Sequence, residues 1–112
     1  MNNSIFIDIG QQLRKVDLEL VSHMHYMDGA TTIEMTNDTK IICCTSLKEF
    51  QLHLPGHYIR VNRNVIINVK HVTAYYKHNQ MVSMDNGRNF TVTRRNVPQL
   101  VSQMKIHFTL VK

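Results

Sequence analysis

Two stretches of the chain carry side chains suited to gripping a polyanion. From Gly56 to Lys70, apolar Tyr58, Ile59, Val61, Val65, Ile66, Ile67 and Val69 alternate with Arg60, Asn62, Arg63, Asn64, Asn68 and Lys70. The planar forks of Arg and Asn match guanine and adenine edges in a major groove, and Arg and Lys also make charged hydrogen bonds to phosphate. Between Thr91 and Val97 the same chemistry recurs at Arg94, Arg95 and Asn96. The plain alternative for each arginine is a surface ion pair or a side chain lying along the surface.

Other chemistries find less support. No serine sits in a Gly-x-Ser-x-Gly elbow. No Gly-rich loop leads into Lys-Ser or Lys-Thr, and no carboxylate pair stands out in the C-terminal half. An enzyme is not expected. His23 and His25 would share one face of a strand, and Cys43 and Cys44 could in principle join them around zinc. The spacing contains neither Cys-x-x-Cys nor His-x-x-x-His. No metal or other cofactor is therefore expected, and the histidines read as loop residues bonded to water or a partner. The adjacent cysteines are poorly placed to bridge each other. They read as small core residues of a strand in a reducing compartment, the cytoplasm.

Charge is strongly polarised. Residues 1–50 hold four Lys and Arg against seven carboxylates, net −3, whereas residues 51–112 hold nine against Asp85 alone, net +8. Such a distribution favours a polyanionic partner, although the seven N-terminal carboxylates could still pair with the arginines. The 112 residues suit one domain spanning 1–112, and 43% apolar content allows a core without disulfide or metal. No apolar run is long enough to cross a membrane, and the start of the chain lacks the basic segment of a signal peptide.

The elements that would position these residues are mostly strands. Period-2 patterning marks Ser4–Ile9, Val16–Val21, Thr31–Thr36 and Lys40–Thr45, with turns at Met27–Ala30 and Thr36–Thr39. Thr45 or Ser46 can cap a short helix whose apolar face is Leu47, Phe50 and Leu54, with Pro55-Gly56 ending it. Tyr58–Val61, Val65–Ile67, Val72–Tyr76, Met81–Met84 and Asn89–Thr93 read as further strands. Asp85-Asn86-Gly87 is predicted to close a hairpin with positive φ at its two central residues. Arg95–His107 is predicted to be helical, with Pro98 in its first turn and Leu100, Val101, Met104 and His107 on one face.

The order of these pieces resembles the LytTR DNA-binding domain. The likeness runs through Ser46-Leu-Lys-Glu-Phe, the Leu54-Pro stretch to Val72, Met84-Asp-Asn-Gly-Arg and Val92-Thr-Arg-Arg, and it covers about residues 16–105. The resemblance implies a mainly β fold of elongated antiparallel sheets with two short helices. It implies loops, rather than a recognition helix, entering successive major grooves of double-stranded DNA. Arg63 falls at one contact position and Arg95, or its neighbour Arg94, at a second. The third contact would come from the loop between the first strands, here about His23–Ala30, with His25 and Tyr26 as candidates. Asn62, Asn64 and Lys70 are expected in support. Asn62 stands where the family usually has His, and Asn64 where it has Ser, so the preferred bases differ. By the same analogy the target is paired direct repeats, each bound by one domain, with a homodimer on DNA. The chain is then a stand-alone transcription regulator, which Met1 favours, or the effector half of a response regulator with a receiver domain elsewhere. The competing expectation is an RNA-binding or protein-interaction β module, with Tyr58, Tyr75 and Tyr76 stacking on unpaired bases.

Overall fold

Alternating apolar positions oblige most of the backbone to find its hydrogen bonds between strands. The computed structural model, which describes residues 3–112, contains ten strands among them. Strands β1 (Ser4–Asp8), β2 (Leu13–Asp17), β3 (Val21–Met27), β4 (Ala30–Met35) and β5 (Lys40–Cys43) precede helix α1 (Leu47–Gln51). Strands β6 (Tyr58–Asn62), β7 (Val65–Asn68), β8 (Val72–Tyr76), β9 (Met81–Met84) and β10 (Asn89–Thr91) precede helix α2 (Val97–His107). The order β5-β4-β3-β7-β6 makes the main sheet, β10-β9-β8 a second, and β1-β2 a separate hairpin. Every pairing is antiparallel. With extents of 49 × 32 × 25 Å the molecule is elongated, mainly β and furnished with two short helices, as expected.

The β6–β7 hairpin is buried on both faces. Tyr58 and Ile66 enter one core with Val16, Leu18, Met24, Ile33, Leu47 and Phe50. Their neighbours Ile59, Val61, Val65 and Ile67 enter a second with Val82, Met84, Phe90, Val92 and Leu100. Two-sided burial explains why β7 reads Val-Ile-Ile-Asn rather than as a strict alternation. Ser46 caps α1 by accepting from the Glu49 amide at 3.1 Å, and Leu47 and Phe50 are buried beneath it. Pro98 lies in the first turn of α2 and Leu100 is fully buried, while Val101 and Met104 are half-buried. His107, at the last turn, is exposed, although its ring packs 5.4 Å from that of the buried His57. Cys43 is buried on β5, but Cys44 is exposed and so is not the core residue expected. Among the described residues no helix is long and apolar enough to cross a membrane.

Three local expectations are corrected. Val16–Val21 is not one strand: β2 ends at Asp17, whose carboxylate accepts from the Glu19 amide at 2.9 Å and starts a 3-10 turn over Leu18–Leu20. The segment His23–Ala30 is mostly β3 rather than a loop. Its reversal is confined to Asp28 and Gly29, with φ of 54° and 83°, the conformation of a two-residue primed turn. At Asp85–Gly87 only Gly87 has positive φ, 86°. The Gly87 amide donates to the Met84 carbonyl at 2.9 Å and the Met84 amide to the Arg88 carbonyl at 2.8 Å. This is a three-residue loop closed by a left-handed glycine, not a two-residue turn.

Buried polar atoms fasten the main sheet to the turn before β3. The Asn68 amide nitrogen donates to the Val21 carbonyl at 3.0 Å and the Leu18 carbonyl at 3.3 Å, and its oxygen accepts from the Lys70 amide at 3.0 Å. The buried Tyr58 hydroxyl also donates to the Leu18 carbonyl. Removing Asn68 would leave the Val21 carbonyl without this donor, whereas Tyr58→Phe leaves Asn68 to serve Leu18. Asn68→Ala should therefore destabilise by about 2–3 kcal/mol and Tyr58→Phe by about 1 kcal/mol, read from urea denaturation midpoints. Equal losses would show that Asn68 is not the main fastening.

His57 is buried, with its ring against Tyr58 at 5.0 Å and His107 at 5.4 Å, and its Nε2 has no hydrogen-bond partner. Burial first, then Lys70, His107 and His71, hold its pKa below the ordinary value, with Glu19 opposing. A folded pKa below the unfolded one gives stability that is present above the unfolded value and lost as the pH falls through and below it. Stability should decline between pH 7 and pH 5, with His57 contributing at most about 1.4 kcal/mol per pH unit. His57→Leu should flatten that slope in urea titrations at stepped pH.

Candidate nucleic-acid interface

The two cationic segments meet because of a bulge. In the β6–β7 pairing, Arg60 faces Ile66 and Asn62 faces Val65, leaving Val61 as the extra residue. The Val61 carbonyl turns to other donors: the Thr93 amide at 2.8 Å, the Thr93 hydroxyl at 3.2 Å and the Asn96 side-chain amide at 3.2 Å. Asn96 also donates to the Thr93 hydroxyl at 2.6 Å. These bonds fix the 3-10 turn over Arg94–Asn96 beside the β6–β7 reversal.

The reversal itself is Arg63-Asn64, and neither residue has positive φ. Asn62 substitutes for primed-turn geometry. Its side-chain oxygen accepts from the Asn64 amide at 2.8 Å and its nitrogen donates to the Thr91 carbonyl at 2.7 Å. Arg60 braces the same loop, donating to the Arg63 carbonyl at 2.6 Å and to Gln51 Oε1 on α1 at 2.9 Å. On the other side, the Tyr26 amide donates to the Asn64 carbonyl at 2.8 Å and ties the end of β3 to the loop.

Two adjoining clefts result. Arg60, Asn62, Arg63, Arg95, Asn96, Thr93, Gln51 and Gln99 line one. Tyr26, Lys48, Arg60, Arg63, Asn64, Ser46 and Leu47 line the other, so Arg60 and Arg63 belong to both. No carboxylate lines either cleft. Among the described residues, Arg63, Arg94 and Arg95 take part in no ion pair. Arg63, Asn64, Arg94 and Arg95 are all exposed. Uncompensated cations in a concave surface focus a positive potential where a phosphate chain could lie.

Arg63, Asn64, Asn62, Arg95 and Tyr26 are thus gathered, and Arg94 sits in the adjoining turn without lining the clefts. Two candidates stand elsewhere. Lys70 follows the far end of β7 and its ammonium lies 3.4 Å from Glu19. His25 is a β3 residue whose ring stacks on His23, with centroids 5.3 Å apart. Lys48, Gln51 and Gln99 were missed. Lys48 had a signal, being the one cation of a capped helix; nothing local marks the glutamines. Of the tyrosines proposed to stack on bases, Tyr58 is buried and bonded and Tyr75 packs on the second core, leaving Tyr76 exposed.

A hairpin packed on both faces thus presents a cationic, carboxylate-free cleft, a surface suited to a polyanion. Residues 11–105 match the model of the LytTr DNA-binding domain family. The chain belongs to that family, a family of regulator DNA-binding domains and not a catalytic one. Its fold is similar to a solved structure described as the LytTr DNA-binding domain of a methyl-accepting/DNA response regulator from Bacillus cereus. The TM-score is 0.76 at 23% identity, over 93% of this chain and 98% of that one. No curated protein matches the sequence.

The bonds to the Val61 carbonyl separate positioning from charge. Asn96→Ala should weaken DNA binding with the salt dependence unchanged, because no phosphate partner is removed. Arg95→Ala should lower the slope of log affinity against log salt by about one if it meets a phosphate. Fluorescence anisotropy over a salt series measures both, and a changed slope in Asn96→Ala would contradict a positioning role.

Proposed function

We propose that this chain binds double-stranded DNA sequence-specifically as the effector of a transcription regulator, with the Arg63-Asn64 reversal and the Arg94–Asn96 turn entering neighbouring stretches of major groove. The observation that carries this reading is the common cleft of Arg63 and Arg95, lined by no carboxylate. Arg63 and Arg95 contact base edges or phosphates. Asn64, Arg94 and Tyr26 contribute at the margins, and Asn62 holds the loop in shape. His25 and Lys70 fall outside the interface. The target is a pair of direct repeats, one domain on each, and dimerisation takes place on the DNA. A receiver domain in a longer response regulator would supply the signal.

A selection of bound sequences from a random duplex pool tests the whole reading, and enrichment of a repeated motif is the expected result. On that motif Arg63→Ala should cost about 1–3 kcal/mol and relax preference at one position. Lys70→Ala should leave affinity unchanged, since its ammonium already faces Glu19. Retention of full affinity by Arg63→Ala would remove that residue from the interface. The competing module that binds single-stranded RNA gains some support from the exposed Tyr26 in the cleft, a surface on which a base can stack. Stronger competition by single-stranded RNA than by random duplex would favour it.

A further inference from the structure

A second cluster of chemistry lies on the main sheet, outside the cationic clefts. His23 and His25 project from the same face of β3, and Glu34 is the cross-strand neighbour of His23 on β4. The Nε2 of His23 lies 3.2 Å from Nδ1 of His25 and 3.4 Å from Oε2 of Glu34. All three donor atoms fall within 4.8 Å of one another. Around a tetrahedral ion with bonds of about 2.0–2.1 Å, donor atoms stand about 3.3–3.4 Å apart, so two of the three spacings already fit. Spacing argued against Cys43 and Cys44 as companions of these histidines, and no metal was expected; the fold instead places Glu34 beside them.

Two further features favour a cation here. The other ring nitrogen of His23 meets the Ser22 hydroxyl at 3.3 Å, the kind of outer partner that orients a ligating imidazole. Glu34 is buried, with 4% exposure, and its Oε2 meets Arg88 Nη1 at 3.1 Å. The Arg88 side chain is 44% exposed and has room to swing away.

We propose that His23, His25 and Glu34 form a binding site for a divalent transition-metal ion of the zinc class, with water completing the coordination and Arg88 as the internal cation that the ion displaces from Glu34. Two imidazoles and one carboxylate suit Zn2+ or Co2+ and not the oxygen-seeking Mg2+ or Ca2+. The ion would tie β3 to β4 beside the β9–β10 hairpin.

The test is titration of the metal-free protein with Co2+, followed by its visible absorption, and with Zn2+ against a chromophoric chelator. One equivalent should bind, with Zn2+ displacing Co2+ and excess Mg2+ without effect. His25→Gln and Glu34→Gln should each weaken binding at least about tenfold. Arg88→Gln should strengthen it, because a competing positive charge is gone. Cys44→Ser should change nothing. Circular dichroism shows which variants fold, and Arg88→Gln keeps the test sharp if Glu34→Gln does not. Absence of stoichiometric binding, binding indifferent to His25→Gln, binding unchanged or weakened by Arg88→Gln, or binding abolished by Cys44→Ser would overturn the site. Because the readout is an ion and not DNA, the outcome is independent of the DNA-binding reading.

Discussion

One backbone carbonyl organises the cationic surface. In a regular hairpin the carbonyl of Val61 would belong to the strand ladder. Here Val61 is the extra residue of a bulge, and its carbonyl accepts from Thr93 and Asn96. Segments some thirty residues apart in sequence are thereby held side by side. The positive charges of Arg63, Arg94 and Arg95 are brought near one another against their mutual repulsion. Neutral hydrogen bonds and the burial of Val61 and Val92 beneath them supply the compensation.

That bulge can be tolerated because the hairpin behind it is fixed on both faces. Tyr58 and Ile66 on one side, and Ile59, Val65 and Ile67 on the other, leave no register in which β6 and β7 could slide without exposing apolar surface. Two functions are thus separated along one hairpin. The strands carry the packing, and the short reversal carries Arg63 and Asn64 into solvent. Asn62 stands between them, its side chain hydrogen-bonded to Thr91 and to Asn64. An asparagine there keeps the loop in shape while adding no charge of its own.

The seam between the two sheets is polar and differently built. Glu34 draws in Arg88 from the β9–β10 loop and lies beside His23, while the His23 ring packs 4.5 Å from Phe90. A buried carboxylate requires a positive partner. The protein provides one from a loop rather than from the sheet, so the charge balance at this seam can be exchanged without unravelling a strand.

By itself the sequence determined the strands whose pattern has a single period, the Ser46 cap, the place of Pro98 and the order of motifs that marks the family. Each depends on neighbours within a few residues. Arg63 and Arg95 were legible as candidates because their residue types suit the chemistry wherever they lie. Leu18–Leu20 was misread because the apolar spacing of a strand also fits a 3-10 turn once Asp17 captures an amide. The nearness of Glu34 to His25 and of Glu19 to Lys70 is invisible to spacing, whereas the pairing of His25 with its strand neighbour His23 is not. Only the tertiary structure decided which cations share a cleft and which carboxylate faces which histidine. Those relations are set by strand register and by the bulge at Val61, and register is a property of pairs of segments that no single segment encodes.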